Sequence, residues 1–229
     1  MSIKRALTTR NVYEAQNESL PLDGVWEKAF GKQDFGGAWL IYGREKNGKT
    51  TFALMFARYL SLQDPVLYIS AEENPKTTNF QRSMRRAGIT VADRNLRFLP
   101  YLDFDDITAT LHKRRAPCIV FLDNLTKYRR KVRPDRLTDL LDEFPKTTFI
   151  FLGHENPKDG EPLGALAFEC KIFGAMIIRV EGLVARVMGR GDADGELVID
   201  EERASLYYRN ILDPERPDVT DEDSIHILK

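Results

Sequence analysis

Between residues 38 and 152, short apolar runs rich in β-branched and aromatic residues alternate with longer segments of helical periodicity. The apolar runs lie at 38–42, 66–70, 96–99, 118–122 and 147–152, and the helical segments at about 49–62, 76–87, 104–115 and 134–143. Apolar strands that alternate with helices are typical of a parallel sheet with helices on both faces. The pattern therefore predicts an α/β fold with a mostly parallel sheet.

The pattern changes after residue 170. Short runs at 174–181, 184–189, 195–200 and 204–208, separated by tight turns, predict an antiparallel extension of the sheet. With 229 residues, the chain can form one domain with a buried core. We expect an N-terminal arm and lead-in over 1–35, one domain over 36–212 and an acidic C-terminal tail over 213–229.

The charge and composition of the chain limit which nucleic acids, membranes or metals it could bind. The net charge of −1 gives no overall field for nucleic acid or membrane, so contact with nucleic acid requires a local basic patch. No apolar run approaches the ~20 residues that span a bilayer, and the first ten residues do not resemble a signal peptide. Cys118 and Cys170 lack metal-ligand spacing. We expect a cytoplasmic protein with no membrane contact.

A phosphate-binding motif follows the first apolar run. Gly43-Arg44-Glu45-Lys46-Asn47-Gly48-Lys49-Thr50 fits G-x-x-x-x-G-K-[ST] at every fixed position. The glycines let backbone N–H groups point at phosphate oxygens, and the N-terminus of the following helix adds partial positive charge. Residues 43–51, which end at Thr51, are predicted to bind ATP. Lys49 is predicted to bind the β- and γ-phosphates, and the Thr50 hydroxyl is predicted to coordinate Mg²⁺.

Acidic residues end two further predicted strands. The apolar run 118–122 ends in Asp123, which is predicted to orient the Mg²⁺ shell or, alternatively, to cap the following turn. The run 66–70 is followed by Glu72 and Glu73, either of which can polarise the attacking water as a general base. Glu72 is favoured over Glu73, and the alternative is that both cap the next helix. A catalytic Glu at this place is typical of RecA-like ATPases.

Residues 149–182 resemble the ATPase core of the bacterial RadA recombination proteins, and 36–52 resemble single-domain RecA-like ATPases of phages and prophages. The positions that match RadA are Gly153, His154, Lys158, Gly160, Glu169, Glu181 and Gly182. The resemblance implies that His154 senses the γ-phosphate, that the loop 155–164 with Lys158 faces DNA, and that Arg190 completes the ATP site of a neighbouring subunit. His154 could instead be satisfied by a nearby backbone group.

A basic segment follows Asp123. Lys127, Arg129, Arg130, Lys131 and Arg133 lie where RecA-like proteins have a DNA-binding loop. We expect these cations to bind DNA phosphates, and Tyr128 could stack on a base. The alternative is a solvated charged turn or a subunit contact.

The resemblance implies a DNA-dependent ATPase that acts in homologous recombination or repair as a homo-oligomeric ring or filament, with single-stranded DNA as the expected partner. Met188 replaces the Lys of the RadA finger motif, and the cysteine zinc finger of RadA is absent. A DnaB-type helicase motor and a KaiC-like signalling ATPase without nucleic acid are the alternatives. Trp26 and Phe30 could dock on an adjacent subunit or cover their own sheet.

Overall fold

The computed structural model describes residues 6–189, 193–209 and 225–227. The strands are β1 (Ala38–Gly43), β2 (Val66–Ser70), β3 (Leu96–Pro100), β4 (Ile119–Asp123), β5 (Thr148–His154), β6 (Met176–Glu181), β7 (Val184–Gly189), β8 (Asp194–Val198) and β9 (Ile225–Ile227). The helices are α1 (Thr9–Tyr13), α2 (Gly24–Phe30), α3 (Lys49–Ser61), α4 (Thr78–Arg86), α5 (Phe104–Leu111), α6 (Asp135–Glu143), α7 (Ala165–Phe173) and α8 (Glu201–Arg209). A short 3₁₀ turn covers Leu125–Lys127.

All the strands of the described chain form one sheet, in the order β3-β2-β4-β5-β1-β6-β7-β8-β9. The neighbours from β3 to β6 are parallel, β7 is antiparallel to both β6 and β8, and β9 is parallel to β8. The predicted mostly parallel sheet with an antiparallel C-terminal extension is therefore confirmed. The extension begins one strand later than predicted, because β6, from the run 174–181, pairs in parallel with β1.

Two hydrophobic cores cover the two faces of the sheet. Strand β1 is buried throughout, and its alternate residues serve different cores. Trp39 and Ile41 pack with α2 and α3, whereas Leu40 and Tyr42 pack with α5, α6 and α7. Burial on both faces explains why the sequence shows continuous apolar runs rather than alternation.

The aromatic residues of the N-terminal segment pack on the home domain. The Trp26 ring lies 4.9 Å from each of the rings of Phe56 and Tyr59 on α3, and Phe30 is fully buried. The Tyr59 hydroxyl donates a hydrogen bond of 2.8 Å to the Asp23 carboxylate, which fixes the start of α2. Trp26 and Phe30 therefore cover the sheet of their own chain, which is one of the two alternatives given for them.

One predicted strand is a helix. Residues 204–208 lie inside α8 rather than in the antiparallel extension. The carboxylate of Asp200 accepts a hydrogen bond of 3.1 Å from the Arg203 amide, and Glu201 and Glu202 occupy the first turn. Acidic groups at an N-terminus favour a helix, and Ala204 packs against Val184 and Val198.

No helix in the described ranges is both long and apolar enough to span a membrane. The predicted acidic tail lies mostly outside the described residues.

Candidate nucleotide-binding site

The strand order brings the predicted catalytic residues to one edge of the sheet. Strand β5 lies between β1 and β4, and β2 lies beyond β4. Since these strands are parallel, the P-loop after β1, His154, Asp123 and Glu72 meet at the carboxyl edge. They line one cleft of about 780 Å³. A ligand site at this edge is expected for a parallel α/β sheet.

The P-loop contributes a third of the residues that line this cleft. Six of the predicted nucleotide-binding residues line it, namely Glu45, Lys46, Gly48, Lys49, Thr50 and Thr51. Gly43 is held against the backbone of β6, where a Cβ would lie 2.1 Å from the Val180 carbonyl oxygen. Gly48 precedes α3 as its N-cap and has a φ of 101°, so the backbone requires both glycines of the motif.

Lys49 lies inside the loop. Its side-chain ammonium donates a hydrogen bond of 2.7 Å to the Arg44 carbonyl oxygen, and the residue is 9% exposed. Burial lowers the pKa of Lys49, while Glu72 and Asp123 act in the opposite direction. A desolvated cation with only one partner in the loop is suited to bind a phosphate oxygen.

Asn47 ties the P-loop to the turn between β6 and β7. Its side-chain oxygen accepts a hydrogen bond of 2.8 Å from the Gly182 amide, and its carbonyl accepts one of 3.2 Å from the Leu183 amide. Leu183 also lies over Gly48, where an added Cβ would be 2.7 Å from the leucine Cδ2. Asn47 therefore fixes the loop from outside the cleft rather than lining it.

The two candidate general bases have different surroundings. Glu72 is exposed, and its carboxylate accepts a hydrogen bond of 3.2 Å from the side-chain amide of Asn124. Glu73 accepts a hydrogen bond of 2.7 Å from the hydroxyl of Thr77, the residue that caps α4. Both line the cleft, but Glu72 is bonded to the neighbour of Asp123, whereas Glu73 is bonded to the residue that caps α4.

Asp123 is buried at the floor of the cleft. It is 4% exposed and accepts a hydrogen bond of 2.9 Å from the hydroxyl of Tyr68. Burial raises the pKa of Asp123 to about 7, the Tyr68 hydrogen bond lowers it, and the negative charge of Glu72 raises it. A desolvated carboxylate beside a second carboxylate is a favourable place for a cation.

These donors fit Mg²⁺, which prefers oxygen ligands and is commonly held by one or two protein groups together with substrate phosphates and water. The Thr50 hydroxyl and Asp123 are the protein groups present. Within the described residues, no three His, Cys, Asp or Glu side chains are placed to hold a metal ion.

His154 ends β5 between the P-loop and Asp123. Burial and the charge of Lys49 lower the pKa of His154, while the charges of Glu72 and Glu45 act in the opposite direction. Its Nδ1 is buried without a hydrogen-bond partner in the described part of the chain. The structure therefore offers no support for the alternative that His154 is satisfied by a nearby backbone group.

Glu155, which the sequence reasoning missed, joins the P-loop to β6. Its side chain is 1% exposed and binds Arg44 at 3.1 Å and Arg179 at 2.8 Å. Burial raises the pKa of Glu155, but the hydrogen bonds and charges of Arg179 and Arg44 outweigh it and hold the pKa below its usual value. No sequence signal identifies this carboxylate, because its partners lie 111 and 24 residues away.

A second cleft of about 640 Å³ adjoins the first. Lys127 and Arg129 line it together with Pro157 and Leu163 of the predicted DNA loop. The other predicted DNA-binding cations, Arg130, Lys131, Arg133 and Lys158, are exposed outside it. Glu45, Asn124 and His154 line both clefts.

Tyr128 does not face solvent, and its predicted stacking on a base is wrong. The side chain is fully buried, with its ring 5.1 Å from that of Tyr101 and 5.3 Å from that of Phe104. Tyr128 packs inward because the 3₁₀ turn before it directs every third residue to the core. The cations on either side of it remain exposed.

Two further outcomes concern arginines. Arg190, the predicted finger, lies outside the described residues. Arg86, which does not belong to any motif of the sequence, lines the nucleotide cleft with Asn79 and Ser83 of α4 and Arg203 of α8. The spacing of residues 79, 83 and 86, which places them on one face of a helix, is the sequence pattern that could have indicated their common position.

Comparison with known proteins supports the fold. No family model matches the chain, and no curated protein sequence matches it. The solved structure of the flagellar accessory protein FlaH from Methanocaldococcus jannaschii is similar, with a TM-score of 0.57 and 18% identity over 78% of this chain and 90% of FlaH. The chain has the RecA-like P-loop fold. At this identity the likeness concerns the fold alone, so the specific resemblance to RadA stays a prediction.

Proposed function

We propose that this protein is an ATPase stimulated by single-stranded DNA, which works as a homo-oligomer in recombination or repair. The observation that carries the proposal is the wall shared by the two clefts. Glu45, Asn124 and His154 line both the P-loop cleft and the cleft that contains Lys127 and Arg129. A ligand in one cleft therefore contacts residues that also face the other.

The P-loop cleft supplies the groups that ATP hydrolysis requires. Lys49 and the amides at the start of α3 bind the phosphates. Glu72, oriented by Asn124, accepts a proton from the attacking water. Thr50 and Asp123 would hold Mg²⁺, which supplies positive charge at the β- and γ-phosphate oxygens. His154 would contact the γ-phosphate through its ring.

The second cleft supplies the contacts for DNA. Among the described residues, Lys127, Arg129, Arg130 and Lys131 form no ion pair, whereas Arg133 pairs with Asp135. The Lys131 ammonium lies 5.3 Å from the centroid of the Tyr101 ring. Exposed cations without a carboxylate partner are suited to phosphate contacts. On single strands each neutralised phosphate adds about 0.7 to the slope of log affinity against log salt.

Oligomer formation is proposed because the nucleotide cleft is open to solvent on the side of Glu72 and Arg86. A cation from a neighbouring subunit, such as Arg190, can enter there and stabilise transition-state charge. An arginine finger of this kind contributes ~10³-fold or more to the rate.

The test is ATP hydrolysis with and without single-stranded DNA, at low and moderate salt, with Lys49→Ala as the inactive control. We expect DNA to raise the rate of the wild-type protein and salt to remove the increase. Replacing Arg129, Arg130 and Lys131 together with Ala should abolish the stimulation and leave basal hydrolysis unchanged. The matched control replaces Lys113, Arg114 and Arg115, three exposed cations after α5 that line neither cleft.

A second candidate function is an ATPase driven by a protein partner. The similar structure is named a flagellar accessory protein, and α7 exposes Phe168 at 47% and Ile172 at 62% beside Leu163 at 38%. Hydrolysis that is indifferent to DNA and to the Arg129, Arg130 and Lys131 substitutions would favour this candidate over the first.

A further inference from the structure

The first variable residue of the P-loop motif reaches toward the second cleft. Arg44 does not line the nucleotide cleft, but it lines the second cleft together with Lys127 and Arg129. Its side chain is 53% exposed. Because its backbone belongs to the phosphate-binding loop, this single residue connects the two clefts.

The backbone of Arg44 positions the lysine of the motif. The Arg44 carbonyl oxygen accepts the hydrogen bond of 2.7 Å from the Lys49 ammonium. Lys49 is buried, so the position of the ammonium depends on where the Arg44 peptide lies. A shift of that peptide would therefore move the charge that binds the phosphates.

The side chain of Arg44 is bonded to the loop 155–164. Its Nε donates a hydrogen bond of 3.1 Å to the Glu155 carboxylate, and the Glu155 amide donates one of 3.0 Å to the Gly43 carbonyl oxygen. Glu155 also forms a β-bridge with Pro162, which closes the loop. The base of this loop is thus joined to the P-loop through both a side chain and the backbone.

Glu155 is held from its other side as well. Arg179 of β6 donates hydrogen bonds of 2.8 and 3.3 Å to the two carboxylate oxygens, and the carboxylate is 1% exposed. Burial lowers the pKa of Lys49, and the charge of Glu155 is among those that oppose this shift. Glu155 is therefore a fixed anchor whose charge acts on the phosphate-binding lysine.

The guanidinium group of Arg44 can bind a further anion. Arginine has several N–H donors arranged as a fork, and within the described ranges the Arg44 side chain donates only to Glu155, through Nε. Its other N–H groups are available to a phosphate that enters the second cleft, and arginine binds phosphate with charge-assisted hydrogen bonds.

Two buried polar atoms indicate that the second cleft takes a ligand. The Thr126 hydroxyl and the His154 Nδ1 have no hydrogen-bond partner among the residues that the structure describes, and both residues line this cleft. A buried polar atom without a partner costs free energy. A phosphate group would supply acceptors for the hydroxyl and for a ring nitrogen that carries hydrogen.

We propose that Arg44 couples the two clefts: a DNA phosphate in the second cleft binds its guanidinium group and, through the Arg44 peptide, fixes Lys49 for the phosphates of ATP. The inference rests on the proposed function and deepens it, because it names the positioning residue through which DNA acts on the nucleotide site. A loop that is already fixed loses less conformational freedom when ATP binds. DNA and ATP should therefore each strengthen the binding of the other.

The test is equilibrium titration of the protein with a non-hydrolysable ATP analogue and Mg²⁺, with and without a saturating thymidine oligonucleotide. In the wild type the oligonucleotide should lower the Kd for the analogue by about fivefold or more, and the analogue should lower the Kd for the oligonucleotide by the same factor. The ratio of the Kd values without and with the second ligand is the coupling factor. The salt dependence of oligonucleotide binding is measured in parallel.

Arg44→Ala should bring the coupling factor to within about twofold of one and reduce the salt slope of oligonucleotide binding by about 0.7, the contribution of one phosphate. Because the coupling factor compares one variant with itself, a change in ATP affinity alone does not alter it. Arg44→Lys keeps the charge and should restore the salt slope. Both variants keep the bonds between Arg179 and Glu155, so the fold should be retained.

Lys127→Ala is the matched control. Lys127 is an exposed cation that lines the same cleft, and no hydrogen bond of the described structure joins it to the P-loop. Its removal should also reduce the salt slope by about 0.7, while the coupling factor should stay at the wild-type value. Loss of coupling in this control as well would show that coupling follows DNA affinity, and would overturn the specific role of Arg44.

The other outcomes separate the coupling from the proposed function. Wild-type coupling in Arg44→Ala would overturn the inference, whether Arg44 contacts DNA, as a reduced salt slope would show, or meets no phosphate at all. Wild-type protein that binds both ligands with a coupling factor of one would overturn the inference and leave the ATPase proposal standing. Wild-type protein that does not bind the oligonucleotide would remove the proposed role of DNA, and the coupling with it.

Discussion

The side-chain amide of Asn124 donates a hydrogen bond of 3.2 Å to the carboxylate of Glu72, across the carboxyl ends of two neighbouring strands. Asn124 can make this bond because its backbone lies in the left-handed region, with a φ of 75°, which Asn tolerates better than most residues. The carboxylate is thereby held beside Asp123 while it remains exposed.

The first prediction separates the two glutamates. Glu72→Gln should lower kcat for ATP hydrolysis by ~10²-fold or more, because the amide cannot accept a proton, and should leave the Kd for ATP nearly unchanged. Glu73→Gln should change kcat by less than about threefold, because Glu73 is engaged with the α4 cap. Single-turnover hydrolysis with a parallel ATP titration measures both. Loss of turnover in Glu73→Gln alone would assign the general base to Glu73 instead.

A second prediction concerns pH. The pKa of Glu155 is held below its usual value in the folded protein, so its contribution to stability is present above the unfolded pKa of about 4.3 and is lost as the pH falls through the folded pKa. Glu155→Gln should lower the free energy of unfolding at pH 7 by about 1–3 kcal/mol, and the difference from wild type should shrink below about pH 4.

Urea denaturation of both proteins between pH 3 and pH 7 tests this expectation. Glu169→Gln on α7 is the control, because Glu169 forms no ion pair with the described residues. A difference between Glu155→Gln and wild type that is the same at both ends of the pH range would mean that Glu155 acts through packing rather than charge.

The third prediction concerns Tyr128. Its hydroxyl is buried and finds no partner in the described ranges, and burial raises its pKa. Tyr128→Phe should keep or increase the free energy of unfolding by up to ~1 kcal/mol and leave the affinity for single-stranded DNA within about twofold. Denaturation and a fluorescence binding assay measure the two quantities. A large loss of DNA affinity would show that Tyr128 leaves the core when DNA binds.

The fourth prediction concerns Trp26. Because the indole packs on α3 of its own chain, Trp26→Ala should lower the free energy of unfolding by about 3–5 kcal/mol, by the same amount at every protein concentration. Val12→Ala, at a side chain of the same N-terminal segment that is 59% exposed, should have no effect. A loss of stability that appears only at high concentration would indicate that Trp26 docks on another subunit.

The sequence predicted the parts of the site that depend on local order. A glycine motif between a strand and a helix, and an acid at the end of an apolar strand, are visible in a few consecutive residues, and the structure places Lys49, Asp123 and Glu72 together as expected. Parallel pairing of the strands brings these residues together, because it aligns strand ends that are far apart in the chain.

Other parts depend on long-range contacts. The bond from Gly182 to Asn47 spans 135 residues and that from Tyr68 to Asp123 spans 55, and no pattern in the sequence marks their partners. The error at 204–208 had a local cause: alternating apolar residues were given more weight than the acidic cap at Asp200. The error at Tyr128 came from its charged neighbours, which indicate exposure of the segment but not of each side chain.

The bonds of Asn47 to the β6–β7 turn limit how the chain can be divided. The phosphate-binding motif lies entirely among the parallel strands and their helices. Yet the backbone amides of Gly182 and Leu183, in the turn that leads into the antiparallel strands, donate hydrogen bonds to Asn47 of the P-loop. A fragment that ended before the turn would keep the whole phosphate-binding motif but lose the two hydrogen bonds that hold it, so the motif and the antiparallel strands belong to one structural unit.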